Sequence, residues 1–207
     1  KGAIMVDGGF PGKEKAFLKA LEKIPVKAQE IKLLVLTHGH FDHIACAKQI
    51  KEITGARIAL HHREKECLEK SLKPLPPGVT TWGSIFGGIL KMFLPFIHIP
   101  PEQVDIPIGD EGLSLHEYGI EGRVIHTPGH SSGSVTVLLD TGEAFVGDLA
   151  MNKFPLRFGP GMPIFAEDPA ALEKSWRLLL EQGAKTIYPS HGEHFPADVI
   201  RQALAKA

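Results

Sequence analysis

Thr37-His38-Gly39-His40-Phe41-Asp42-His43 closes Ile31–Thr37 (Ile-Lys-Leu-Leu-Val-Leu-Thr), a nearly continuous apolar run. Such a run reads as a strand buried on both faces. Four side chains able to bind a metal thus fall within six residues at a strand end. In extended chain, positions i and i+2 project to the same side, so His38 and His40 can grip one ion. The chain then turns into a helix expected over His43–Thr54 and closed by Gly55. Asp42 and His43 therefore sit at a helix start, project elsewhere and suit a second ion nearby. A chance gathering of four ionisable groups at one strand end is a poor account of this pattern.

Three further candidates each follow a predicted strand: His130 in Thr127-Pro128-Gly129-His130-Ser131, Asp148 in Val146-Gly147-Asp148, and His191 in Pro189-Ser190-His191-Gly192. Adjacent Gly and Pro let the backbone turn sharply there, and loops at strand ends are where scaffolds carry catalytic groups. Five histidines and two aspartates, with no thiolate, suit zinc first and iron or manganese next. Seven ligands fill two sites if one carboxylate bridges. Two ions roughly 3.5–4 Å apart can hold a hydroxide and polarise a substrate oxygen, so the expected chemistry is hydrolysis. The other histidines read as structural: His61 and His62 end a strand, and His98, His116 and His126 lie in apolar or strand contexts. His194 is a candidate for the pocket mouth.

Strands are expected at Ala3–Val6, Arg57–Leu60, Val124–Thr127, Val135–Leu139, Ala144–Val146 and Thr186–Tyr188. Helical spacing marks Lys13–Ile24 and Glu64–Ser71. Asp168 with Pro169 opens a helix to about Glu181, and Pro196 a terminal one to about Ala205. Strands and helices alternate with no internal repeat, giving an α/β or α+β class with helices outside the sheets.

A length of 207 residues fits a single domain, 1–207. With 23 basic and 24 acidic residues the net charge is −1, which excludes a whole-chain basic field for nucleic acid. Cys46 and Cys67 form no disulfide framework and point to a reducing, cytoplasmic setting. The chain opens at Lys1 in what reads as the middle of a sheet, so the natural N-terminus is expected to lie further upstream. Residues 74–101 read as an apolar insertion, with Trp82, Phe86, Phe93 and Phe96 but one formal charge, Lys91. Gly87, Gly88, Lys91 and Pro95 interrupt it, so it is no transmembrane segment, and Gly83-x-x-x-Gly87 carries no weight there. It is expected to pack on the core, to wall or cover a pocket for an apolar small-molecule substrate, or to form a homodimer surface. An interfacial membrane contact is a weaker reading.

His38-x-His40-x-Asp42-His43, followed by His130, Asp148 and His191, resembles the marker of the metallo-β-lactamase fold superfamily, and the resemblance runs from Ala3 to about Phe195. It implies an α+β fold, an αβ/βα sandwich with its metals at one edge. It further implies one ion on His38, His40 and His130, a second on Asp42, His43 and His191, and a bridging Asp148. Asp42 and Asp148 are the candidate catalytic carboxylates. Asp7 matches a position that supports the metal loop. Asp148 stands where β-lactamases of this fold mostly carry Cys, which argues against antibiotic hydrolysis. Sixteen residues follow His191, too few for the helical domain of glyoxalase II proteins. The resemblance therefore favours ester, thioester or lactone hydrolysis. Alternatives are a non-catalytic metal-binding or sensory protein and a single-iron redox enzyme. Gly129-His130-Ser131-Ser132-Gly133 also satisfies the serine nucleophile elbow, but a β-patterned run follows it where that motif needs a helix.

Overall fold

The computed structural model of the chain describes residues 2–154 and 156–206. One sheet holds β1 (Ala3–Val6), β2 (Ile31–Val35), β3 (Arg57–His61) and β4 (Ile106–Ile108), in that order and all parallel. The other holds β5 (Leu113–Ser114), β6 (Gly122–His126), β7 (Val135–Leu139), β8 (Glu143–Gly147), β9 (Thr186–Pro189) and β10 (Phe195–Pro196). Its order is β10-β9-β8-β7-β6-β5, antiparallel except for the parallel pair β8 and β9. The helices are α1 (Glu14–Leu21), α2 (Phe41–Ile44), α3 (Ala47–Thr54), α4 (Lys65–Glu69), α5 (Thr81–Phe93), α6 (Pro169–Glu181) and α7 (Asp198–Leu204).

Side-chain alternation along each strand builds the layers. Leu33 and Val35 of β2 and Ala59 of β3 meet Val124, Val135 and Val137 of the second sheet, forming the core between the sheets. Leu34 of β2 and Ile58 and Leu60 of β3 face the other way, onto Ile44, Ile50 and Leu68 of the first helical layer. Leu138, Ala144 and Ile187 face Leu172, Trp176 and Leu179 of α6 and Ile200 of α7. The result is the αβ/βα sandwich expected for the family resembled.

α6 has the N-terminus expected from its sequence. Asp168 Oδ1 accepts from the amides of Ala170 and Ala171 at 3.0 Å each, with Pro169 at the first helical position. Its buried face also ties down two loops. Ser175 Oγ donates to the Pro128 carbonyl at 2.7 Å, and Trp176 Nε1 donates to that of Leu149 at 2.9 Å. Those carbonyls lie beside His130 and Asp148.

Three local expectations differ from what is observed. The helix over His43–Thr54 is two helices, broken at Ala45 and Cys46. The His43 carbonyl accepts from the amides of Gly8 and Gly9, at 2.6 and 3.1 Å, and this long-range capture interrupts the helical ladder. Pro196 belongs to β10, and the terminal helix starts at Asp198. Residues 81–93, read as interrupted by glycine, form the helix α5. Its Gly83 and Gly87 are buried against Ile164 and Phe165, and a Cβ at Gly83 would collide with the Ile164 carbonyl. The pair thus has a packing role within the chain.

Gly88 of α5 has nothing within 4 Å of a built Cβ. Gly88→Ala is expected to stabilise by about 0.5–1 kcal/mol through helix propensity. Gly83→Ala is expected to destabilise by a comparable amount or more, because the backbone at Ile164 must shift. Chemical denaturation of the two variants checks this, and shifts of the same sign would contradict the packing.

Candidate metal centre

The seven residues singled out in the sequence come together at the C-terminal ends of their strands. His38 and His40 follow β2, Asp42 and His43 lie on α2, His130 follows β6, Asp148 follows β8 and His191 follows β9. Their donor atoms form three groups within 4.8 Å: His38, His40 and His130; Asp42, His43 and His191; and His38, His43 and Asp148. The first two groups are the two ligand sets that the resemblance implied. Asp148 Oδ1 lies 3.5 Å from Nε2 of both His43 and His191, and its Oδ2 lies 3.7 Å from His130 Nε2, so the carboxylate stands between the sets.

Hydrogen bonds fix the ring faces. His43 Nδ1 donates to Asp7 Oδ2 at 2.8 Å, and His130 Nδ1 donates to the Phe165 carbonyl at 2.9 Å. Thr37 Oγ1 donates to Asp7 Oδ2 at 3.0 Å, so it can only accept from His38 Nδ1, also at 3.0 Å. Each of these rings therefore turns its Nε2 to the centre, as outer hydrogen bonds do for metal-binding histidines. His40 Nδ1 lies 3.0 Å from His130 Nε2. Two nitrogens sharing a tetrahedral zinc stand about 3.3 Å apart.

This donor set fits divalent ions. Nε2 of His38 and of His43 and Oδ1 of Asp148 are buried without a hydrogen-bond partner. An unmet buried polar atom costs about 1–3 kcal/mol, and three in one cluster call for a shared occupant. The electrostatics agree. Burial, then the neighbouring imidazoles, hold His38 and His40 well below the ordinary histidine range, in the neutral form that binds metal. Burial likewise lowers His130, against the pull of Asp148. Burial also opposes charge on His43, but Asp7, Asp148 and Asp42 outweigh it and raise its pKa to about 10. His191 is raised against burial by Asp148 and Asp42. Burial would raise Asp42, yet His43 and His191 hold it well below the usual carboxylate range. The second set is thus an anionic pocket that stabilises positive charge.

Several supporting residues gave no signal of this kind in the sequence. Glu64, on the turn before α4, is buried; its Oε2 accepts from the Gly39 amide at 2.8 Å and its Oε1 from that of Gly133 at 3.0 Å. One carboxylate thereby braces the loops of both His38–His40 and His130. A Cβ at Gly39 would lie 2.6 Å from Glu64 Oε2, so the brace needs glycine there. Ser190 Oγ donates to Asp7 Oδ2 at 3.0 Å. His194 is exposed and stacks on Tyr188, lining neither recess beside the centre. His61 stacks on His126 at 4.4 Å and shares Asp110 with Arg63, in keeping with a structural role. The serine-elbow reading fails: Ser131 is buried, its Oγ lies 2.8 Å from Ser134 Oγ, and β7 follows where that motif needs a helix. Asp7→Asn, which weakens the Asp7–His43 contact without changing size, is expected to lower metal affinity about 10- to 100-fold. Competition with a chromophoric chelator measures this, and unchanged affinity would contradict the role given to Asp7.

The family model of the metallo-beta-lactamase superfamily matches residues 1–191. The chain is 28% identical over 195 residues to a probable metallo-hydrolase of Methanocaldococcus jannaschii, covering 92% of this chain and 82% of that protein. It is 28% identical over 150 residues to the hydroxyacylglutathione hydrolase GloC of Haemophilus influenzae, covering 72% of this chain and 61% of that one. An archaeal metallo-beta-lactamase superfamily protein of Sulfolobus tokodaii shares the fold with a TM-score of 0.68 at 22% identity, over 100% of this chain and 76% of that one. The chain belongs to the metallo-beta-lactamase superfamily, and its cluster is that of a metallohydrolase.

Proposed function

We propose that His38, His40 and His130 hold one divalent ion, that Asp42, His43 and His191 hold a second, and that Asp148 bridges them. The substrate is a small ester, thioester or lactone with an apolar acyl part. Zinc is the metal this imidazole and carboxylate set favours, with iron and manganese next. Such ions, when bound, would supply a water ionised at neutral pH and polarise the carbonyl oxygen of the acyl group.

The observation that carries the substrate class is the cavity over the centre, about 150 Å³ in volume. Its polar lining is confined to His40, Asp42, His130, Asp148 and His191. The remaining wall is apolar, with Phe86 and Leu90 from α5 and Met151, Leu156, Ile164 and Phe165 from the facing loop. Small-molecule sites combine an apolar wall with a few polar anchors in this way. Among the described residues, no serine, threonine, cysteine, lysine or tyrosine lines the cavity, so the wall offers no hydroxyl, thiol or amine nucleophile. Among the described residues, no arginine or lysine lines it either, so a phosphate or carboxylate on the substrate would find no guanidinium or ammonium there. Asp42 and Asp148 are the cavity's two carboxylates and are the groups placed to accept a proton from water.

Turnover of esters, thioesters, lactones and phosphodiesters, with zinc, manganese and iron supplied in turn, tests this reading. Acyl substrates are expected to react, and cleavage of phosphodiesters alone would overturn it. Asp148→Ala is expected to weaken both metal sites together and to lower turnover by orders of magnitude; retention of two metals and normal rates would remove the bridge. Phe86 lines the cavity, whereas Phe93, grouped with it in the sequence, is exposed and does not. Phe86→Ser is expected to raise KM for long acyl chains more than for short ones, with kcat little changed. Phe93→Ser should leave that chain-length preference intact. Equal effects of the two changes would contradict the assignment of this wall.

A further inference from the structure

We infer that the outward face of α5, with the neighbouring Phe154 and Phe158, is a docking surface for the headgroup layer of an anionic phospholipid bilayer. The surface adjoins the wall of the proposed cavity, where Met151 and Leu156 lie, and its test needs no turnover. Trp82, Ile85, Ile89, Met92 and Phe96 recur at intervals of three and four residues along α5 and the turn after it. All five are exposed, Met92 at 71% and Phe96 at 84%. The opposite face, Gly83 and Gly87, is buried, so the helix is seated in the fold and presents its apolar side outward. The adjoining loop packs on α5 through Leu156, Met151 and Phe86 and exposes Phe154 and Phe158, at 67% and 85%. A contiguous apolar surface of this kind marks an interaction site.

Charge selects the occupant. Residues 71–101 contain Lys73 and Lys91, residues 149–166 contain Lys153 and a half-buried Arg157 that donates to the Met162 carbonyl, and neither stretch contains an Asp or Glu, in a chain of 23 basic and 24 acidic residues. Lys91 and Lys153 are exposed. A second copy of the chain seated on this face would bring these cations toward their own equivalents, with no acid in either stretch to pair them. An anionic lipid surface offers the opposite sign to the cations and an acyl boundary to the aromatic rings. The 13 residues of α5 span about 20 Å, short of the roughly 30 Å hydrocarbon core, so the helix would lie along the surface. No helix among the described residues is long and apolar enough to cross a membrane.

Flotation with vesicles of phosphatidylcholine, with and without phosphatidylglycerol, tests the inference. The protein is expected to float with the anionic vesicles and to release as salt is raised. Trp176 is buried, so a blue shift of tryptophan emission on binding reports Trp82. Met92→Glu with Phe96→Glu is expected to lower partitioning at least about tenfold, with melting unchanged because both side chains are exposed. Lys91→Gln, which leaves the apolar stripe intact, is expected to weaken binding about fivefold. Failure to float with either vesicle would overturn the inference, as would equal binding to neutral vesicles. A dimer in solution that the Met92 and Phe96 changes dissolve would also overturn it, giving the face to a second copy.

Discussion

The Asp7 carboxylate is the contact on which the centre's geometry depends. It accepts from the Thr37 amide and hydroxyl, from His43 Nδ1 and from Ser190 Oγ. Those four bonds join the ends of β1, β2 and β9 to α2, four pieces of chain that local sequence does not hold together. Asp7 adopts a left-handed backbone, φ +61°, which a non-glycine residue adopts at a cost. The neighbouring Gly8 and Gly9 amides capture the His43 carbonyl and end α2. The turn thus fixes both where His43 sits and which ring nitrogen it presents.

The sandwich supplies what such a centre requires. Buried strands bring ligand loops from both sheets to one edge, and α6 pins the His130 and Asp148 loops by their neighbouring carbonyls. Burial keeps the first histidine set neutral, while three aspartates around His43 make the second set favour positive charge. The unmet nitrogens and oxygen at the centre lower stability in the absence of an occupant, so metal binding and folding are coupled. Above the centre, the wall built by α5 and the facing loop carries no charge.

The parts legible in the sequence were those whose cause is local. The strand over Ile31–Thr37 with its His-rich end, the Asp168-Pro169 helix start, and the turns at His130, Asp148 and His191 all rest on near neighbours. The parts that were not legible depend on distant contacts. Glu64 braces Gly39, 25 residues away, and Gly133, 69 residues away, and nothing beside it marks that role. The break after α2 comes from Gly8 and Gly9. α5 was not read as a helix, because Gly87 and Gly88 interrupt its apolar run and the seat of Gly83 and Gly87 on Ile164 and Phe165 is a distant contact.

Anomalous diffraction at the metal absorption edge, on crystals of metal-loaded protein, shows whether the seven clustered side chains hold two ions. Two peaks are expected, one among His38, His40 and His130 and one among Asp42, His43 and His191, with Asp148 touching both. A single peak, with Asp42 and His43 unliganded after full loading, would contradict the two-ion reading.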